Sequence, residues 1–395
     1  MIGFFQPFNY NLLMLKKVFF IIAGLGCGII SMIYILKYYS PGRLLTTIGI
    51  QKPAIIGFLP YWLINKDGKD YTSYVNTISY FGLTIDGDGK ILKRTKPTET
   101  EPGWLAMQSG KVNSILDAAK KNNLNRSLVV FSADQESINL LMEKPVEHAQ
   151  NLMDGVFPIL NQYGFTDLNI DIENFSTASE SARQNFTLFT KTIHDRLQAH
   201  STSPTLSIDV SPTALIKPYL IDVEAVSPFV DKVIFMTYDF HFQGSSVTGA
   251  VSPINGAEIS AEFDAETSVK EALKILNPEK IILGVPLYGY EWETLADYPH
   301  AATIPNSGIT ASNRRVEEFL VGCATCSAQF DTVSKESYLI YKNQETNTFH
   351  QFFYPDKQAM QEKINLMRKY DLGGIALWAL GYEGSTILDP LKNIR

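Results

Sequence analysis

From Pro53 onward the hydrophobic pattern repeats one theme: a short apolar, β-rich run, then a stretch with helical spacing. Runs rich in Val, Ile, Leu and aromatic residues predict strands at Ala54–Trp62, Thr77–Ile85, Ser127–Ser132, Asp167–Glu173, Thr205–Val210, Lys232–Asp239, Lys280–Tyr288 and Gly374–Ala379. Apolar residues at helical spacing predict helices over Lys111–Asn123, Pro145–Tyr163, Glu180–His200, Phe263–Leu276 and Gln358–Tyr370. Strands and helices alternating in one run predict an α/β fold, a closed (β/α)8 TIM barrel. An open doubly wound sheet shares the alternation, but no Gly-rich phosphate loop follows the first strand. Residues 289–354 break the rhythm, being far longer than an ordinary connection. A helical piece (Ala311–Val321) and strand-like pieces (Glu336–Tyr341 and Thr348–Tyr354) predict a small α+β insertion on the barrel rim.

Ahead of the barrel, Val18–Leu36 is uncharged and nearly all apolar, with Lys16 and Lys17 before it and Lys37 after it. A helix of this length rises about 28 Å, close to a hydrocarbon thickness of roughly 30 Å. The expectation is one N-terminal transmembrane helix at 18–36 acting as a signal anchor. Residues 1–17 would be cytoplasmic, 37–52 a tether, and 53–395 an extracytoplasmic, membrane-anchored domain at the cell surface or in the periplasm. A cleaved signal peptide is the alternative, but the run is long and lacks a clear small-residue cleavage pattern.

The polar positions of the fourth predicted strand carry the candidate chemistry. In Leu168-Asn169-Ile170-Asp171-Ile172-Glu173 the apolar residues fall on one face and Asn169, Asp171 and Glu173 on the other. Two carboxylates two residues apart on a strand lie about 6–7 Å apart. In a partly buried site both cannot ionise cheaply, so one holds a proton near neutral pH. A protonated acid over a cleft is what glycoside cleavage requires of a general acid. An exposed acidic edge strand would read similarly. Position decides between the two: in a barrel the C-terminal strand ends face the active site. Tyr61 and Trp62, Asp171 and Glu173, Tyr238 and Asp239, Tyr288, and Trp378 all lie at such ends.

Composition adds that 12% of residues are aromatic, which suits a sugar-binding cleft. Five of the 34 basic side chains and none of the 41 acidic ones fall in the first 52 residues, so the remainder carries a net charge of −12. That balance argues against a nucleic-acid partner. The six histidines show no H-E-x-x-H spacing, so no metal or other cofactor is implied, and no protein partner is implied either.

The fourth-strand stretch resembles the D-G-x-D-x-D-x-E signature of glycoside hydrolase family 18, the chitinase-like barrels. Met236-Thr237-Tyr238-Asp239 is similar to that family's sixth-strand motif, Leu283–Gly289 to its seventh, and Gly373–Trp378 to its eighth. The resemblance covers residues 53–390 and is nearest to bacterial enzymes acting on chitin or cell-wall glycans. It implies hydrolysis of β-1,4-linked N-acetylglucosamine polysaccharide, of chitin or peptidoglycan type, by a retaining mechanism in which the substrate supplies its own nucleophile. Glu173 would be the general acid. Asp171 would orient and stabilise the N-acetyl group as it attacks the anomeric carbon. Tyr238, with Asp239, would hydrogen-bond that acetamide, and Trp378 would floor the site. The candidate catalytic residues are therefore Glu173, Asp171 and Tyr238. The candidate substrate-binding residues are Asn169, Met236, Asp239, Trp378, Tyr61 and Tyr288.

The chain departs from the signature in three places. Thr166 and Asp167 replace the leading Asp-Gly, low in the strand. Asn169 replaces the middle Asp, as it does in related cell-wall enzymes, and so removes a charge that would help share the proton of Asp171. A catalytically silent glycan-binding barrel is the alternative function. The presence of Glu173 favours the enzyme, because cleavage without a general acid is inefficient. An unrelated barrel enzyme such as an aldolase would need a strand-end Lys or a phosphate loop, and neither is found.

Three smaller motifs complete the picture. Cys323 and Cys326 form a C-x-x-C; with Cys27 the only other cysteine, a four-cysteine zinc site is excluded and a local disulfide is expected outside the cytoplasm. Asp86–Gly89 faintly resembles a calcium loop, but Pro97 stands where its last ligand belongs, so an ordinary turn is expected. Asn174-Phe175-Ser176 and Asn185-Phe186-Thr187 are glycosylation sequons.

Overall fold

The computed structural model describes residues 52–64, 69–174, 176–259 and 262–394. The chain divides after Lys52, and Pro53–Arg395 forms one compact unit. Its centre is a closed barrel of eight parallel strands: Ala54–Pro60, Thr77–Thr84, Asn125–Ser132, Asp167–Ile172, Thr205–Val210, Lys232–Phe235, Ile281–Pro286 and Gly374–Trp378. Each strand pairs with its neighbours in sequence, and the first closes on the last with Ala54 opposite Gly374. These runs read as continuous apolar blocks because a barrel strand is buried on both faces. Leu168, Ile170 and Ile172 belong to the apolar layer between strands and helices, together with Leu128, Val130 and Ile208. Ile56, Phe58, Phe81, Val129, Ile234 and Ile282 fill a second cluster inside the barrel.

The helical layer is uneven. Pro145–Tyr163 and Glu180–Gln198 are full-length helices on the outside of the barrel. After the first strand only a 3-10 turn (Tyr61–Leu63) is described, and after the fifth only short turns such as Pro212–Leu215 and Val223–Val226. Helix ends are set locally. Ser179 caps Glu180–Gln198 by accepting the Ala182 N–H, and Asp356 caps Lys357–Lys369 by accepting that of Ala359. Gly164 ends Pro145–Tyr163 at φ 66°, a left-handed turn that glycine adopts without strain and that leads the chain into the fourth strand.

Residues 288–354 carry the expected insertion, built around a five-stranded antiparallel sheet. Its order is Ile309–Ser312, Tyr288–Thr294, Phe349–Tyr354, Glu336–Lys342 and Gln329–Asp331. The helix Asn313–Gly322 adjoins it, and a Cys323–Cys326 disulfide follows directly. The Asp86 loop is a turn closed on itself, the Asp86 carboxylate accepting the N–H groups of Asp88 and Lys90.

Asp167, which stands where the signature has Gly, is buried at the base of the barrel. Its carboxylate accepts hydrogen bonds from the hydroxyls of Ser127 at 2.6 Å, Ser207 at 2.8 Å and Thr205 at 2.5 Å. It ties three adjacent strands together at a depth where an unpartnered carboxylate would be costly.

The membrane expectation requires correction. Among the described residues no helix is long and apolar enough to cross a membrane. The long helices Pro145–Tyr163 and Glu180–Gln198 bury one face and leave charged residues on the other, as packing on a barrel requires. Among the described residues the fold is the barrel and its insertion, and the expected transmembrane signal anchor, with the membrane partner and membrane-anchored localisation that follow from it, finds no such helix there. Segment 18–36, on which that expectation rests, lies outside the described residues, as does the tether apart from Lys52.

Candidate active site

The C-terminal ends of the barrel strands enclose a cavity of about 100 Å³. Glu173, Asp171, Tyr238, Met236, Asp239 and Trp378 all line it, although they come from three different strand ends. The backbone explains why. Asp171 lies inside the fourth strand, and Glu173 stands one residue past its end with its N–H held by the Ser132 carbonyl at 2.9 Å. The sixth strand, predicted to run through Asp239, stops at Phe235. Beyond it the chain curls tightly, and Asp239 takes φ 59°, a left-handed conformation that Asp tolerates better than most residues. That curl places Tyr238 and Asp239 over the mouth.

The other three predicted residues lie outside the cavity lining. Asn169 is fully buried beneath it, its amide donating to Ser207 Oγ at 3.1 Å and to Asp209 Oδ1 at 3.0 Å. Tyr288 stands behind Asp239 and donates its hydroxyl to Oδ1 at 2.6 Å. Tyr61 occupies the 3-10 turn after the first strand and packs edge-on against Trp62. Trp62, 42% exposed, is the residue of that pair in aromatic contact with Trp378. Phe58 and Phe81 approach Trp378 at 5.7 and 4.9 Å between centroids, so the indole is fixed from several sides.

Two participants escape the sequence reading. Asp209, on the fifth strand, lines the cavity as a further carboxylate. Tyr290, in the first strand of the insertion, donates a second hydroxyl to Asp239 Oδ1 at 2.9 Å. Asp209 had a signal, because Thr205, Ser207 and Asp209 alternate with Leu206, Ile208 and Val210 just as the fourth strand alternates. Tyr290 had none, since nothing local shows that its strand returns to the barrel mouth.

The electrostatics follow from crowding acids in a dry place. Burial first, and then the charges of Asp209 and Glu173, push Asp171 well above the ordinary carboxylate range. Burial and the charge of Asp239 raise Glu173. Asp239 is itself raised by burial, while the Tyr288 and Tyr290 hydroxyls pull the other way. The arrangement can hold a proton on Glu173 above the ordinary carboxylate range and present it to a bound oxygen atom.

Gly284 allows Tyr238 its place. A Cβ there would lie 2.4 Å from the Phe235 carbonyl oxygen and 3.1 Å from Tyr238 Cε1. Gly284→Ala is expected to displace Tyr238 and lower kcat/KM about tenfold, with the circular dichroism spectrum unchanged. Undiminished kcat/KM would show that the position of Tyr238 is not critical.

The family model described as "Glycosyl hydrolases family 18" matches residues 54–383. A cortical fragment-lytic enzyme of Bacillus cereus is 26% identical over 316 residues, 78% of this chain and 65% of that protein. The chain therefore spans just under two thirds of that relative's length. Among solved structures, the Bacillus cereus spore cortex-lytic enzyme SleL aligns with a TM-score of 0.67 at 20% identity, covering 87% of this chain and 74% of that one. The Ostrinia furnacalis Group IV chitinase aligns at 0.73 and 18% identity, covering 87% of this chain and 99% of that one. At such identities the structural likeness speaks for the fold. The family match over most of the length speaks for descent: the chain belongs to family 18 of the glycosyl hydrolases.

Proposed function

We propose that this glycosidase cleaves β-1,4-linked N-acetylglucosamine polysaccharide, of the chitin or peptidoglycan type, by a retaining, substrate-assisted mechanism. Glu173 protonates the glycosidic oxygen. Asp171 orients the 2-acetamido group, whose carbonyl oxygen attacks the anomeric carbon, and then stabilises the oxazolinium-like cation that results. A carboxylate stabilises that cation more than the neutral ground state, which is what lowers a barrier. Tyr238 donates a hydrogen bond to the acetamide, and Trp378 lies under the reacting sugar. Water completes the reaction from the face the leaving group vacated, opposite the acetamide, with Glu173 acting as base.

The observation that carries the reading is the pairing of Glu173 and Asp171 in one cavity, both raised in pKa by burial, with Tyr238 beside them and Trp378 among the walls. The names of the relatives, a cortical fragment-lytic enzyme and a chitinase, are consistent with an N-acetylglucosamine glycan as the substrate.

The test incubates the full-length protein with chitin oligosaccharides and with purified peptidoglycan. Mass spectrometry identifies the cleaved glycan, and proton NMR follows the first anomer released. The β-anomer is expected before mutarotation. Initial release of the α-anomer would overturn the substrate-assisted mechanism, and no cleavage of either glycan would overturn the substrate class.

A further inference from the structure

The signature acid at position 169 is an amide in this chain, yet a third carboxylate still reaches the floor of the cavity. Asp209 is 4% exposed and lines the same cavity as Asp171 and Glu173. The Asn169 amide lies against it, donating to Oδ1 at 3.0 Å while Ser207 takes the other N–H. Asp171 is equally buried, and its Oδ1 has no hydrogen-bond partner. An orphaned carboxylate oxygen at that depth is costly unless its charge is managed by a neighbour.

We propose that Asp209 is the charge partner of Asp171, supplying from the fifth strand the carboxylate that Asn169 does not carry. The proposal rests on the roles given above to Asp171 and Glu173. Asp209 acts through Asp171 and is a positioning residue. Charged and titratable groups face it from several elements. Asp171 and Glu173 come from the fourth strand, with Asp167 lower on the same strand and Lys232 of the sixth strand acting on Asp167. Tyr238 stands past the end of the sixth strand. Burial first, and then the charges of Glu173 and Asp167, push Asp209 well above the ordinary carboxylate range, while the Asn169 amide pulls the other way and favours its ionised form. The two carboxylates cannot both ionise cheaply, so a charge on Asp209 holds the proton on Asp171 in the free enzyme. A developing positive charge in the sugar offsets that repulsion and shifts the proton from Asp171 to the Asp209 carboxylate, which leaves Asp171 charged when its charge is useful.

The experiment uses the full chain as wild type, Asp209→Asn, Asn169→Asp and the exchange of both. Two properties are measured: the pH profile of kcat/KM on an N-acetylglucosamine oligomer, and the melting temperature across pH. Asp209→Asn removes a negative charge, so every remaining proton leaves more readily. Both limbs of the profile are expected to move toward acid, by on the order of one pH unit. Asn169→Asp is expected to move them the other way, and the exchange to return them to within about 0.3 unit of wild type.

The stability readout does not depend on activity. Acids whose pKa is raised by folding favour the folded state at low pH, and that contribution is lost as pH rises through their folded pKa. Removing one of them should therefore make the melting temperature of Asp209→Asn, relative to wild type, rise with pH above the ordinary carboxylate range, where the raised acids of the wild type lose their protons. A merely structural role would give a constant difference. Unmoved limbs together with a pH-independent difference overturn the proposal. If Asp209→Asn does not fold, Asn169→Asp against the exchange variant makes the same comparison. If the wild type cleaves no glycan, the reading of Glu173 fails separately and the melting data still decide on Asp209.

Discussion

Glu173→Gln is expected to lower kcat by about 10²–10⁴-fold while changing KM for an N-acetylglucosamine oligomer by less than about threefold. Gln keeps the size and polarity of the side chain but has no proton to give. The loss therefore falls on the transition state, where the leaving oxygen needs that proton, rather than on binding. The pH profile supplies a second check. The pKa of Glu173 is raised by burial and by the charge of Asp239, so the acid stays protonated above the ordinary carboxylate range. Wild-type activity should fall as pH rises through that raised value. The residual activity of Glu173→Gln should lack this fall, having lost the group that titrates. A variant retaining more than about half of wild-type kcat would mean that another group delivers the proton.

A buried cation is expected to matter almost as much to stability. Lys363→Met should destabilise the fold by about 3 kcal/mol, read as a lower denaturant midpoint at unchanged m-value. Lys363 lies on the helix before the eighth strand and is 1% exposed. Its ammonium donates to the carbonyl of Ser252 and, at 2.7 Å, to the Ser252 hydroxyl. Glu336, from the insertion, grips the same stretch by accepting the N–H groups of Val251 at 2.8 Å and Ser252 at 2.9 Å. Burial drives both toward neutrality, Lys363 down to about 8 and Glu336 up to about 7, while each charge partly restores the other. Removing Lys363 strands Glu336 and leaves two Ser252 oxygens without their donor. Pairing Lys363→Met with Glu336→Gln should recover part of the loss, because no uncompensated charge then remains. Equal stability of wild type and Lys363→Met would show that the network contributes nothing net. The network also reaches the site: the Ser252 hydroxyl donates to the Thr237 carbonyl, and Thr237 donates to Gly284 at 2.6 Å, beside Tyr238. Lys363→Met should therefore lower kcat as well as stability.

The barrel was legible because its strands are buried on both faces and so stand out as apolar blocks between amphipathic helices. The helix Pro145–Tyr163 was legible to the residue, framed by a proline at its first position and a glycine after its last. Glu173 and Asp171 were legible because their strand alternates cleanly, and Tyr238 and Trp378 through motifs resembling the family's. Other features are products of three dimensions. The curl that ends the sixth strand at Phe235 follows contacts with distant residues, and Met236–Asp239 continues the strand pattern without a break. Lys363 sits three residues after Met360 and four before Met367, on the apolar face of its helix; its charge masked its burial. Tyr61 and Trp62 show the limit of strand-end reasoning, since a 3-10 turn decides which aromatic of an adjacent pair meets Trp378.

The two tyrosines that hold Asp239 have a bearing on how such enzymes diverge. Tyr288 and Tyr290 begin the strand Tyr288–Thr294, which follows the seventh barrel strand after Leu287 alone. The insertion is therefore not a module that can be exchanged without touching the chemistry. A chimera taking a foreign insertion from residue 289 onward would keep Tyr288 but lose Tyr290. Asp239 would then have half its grip, and its influence on Glu173 would change with it. Variation in the insertion is thereby coupled to the acidity of Glu173.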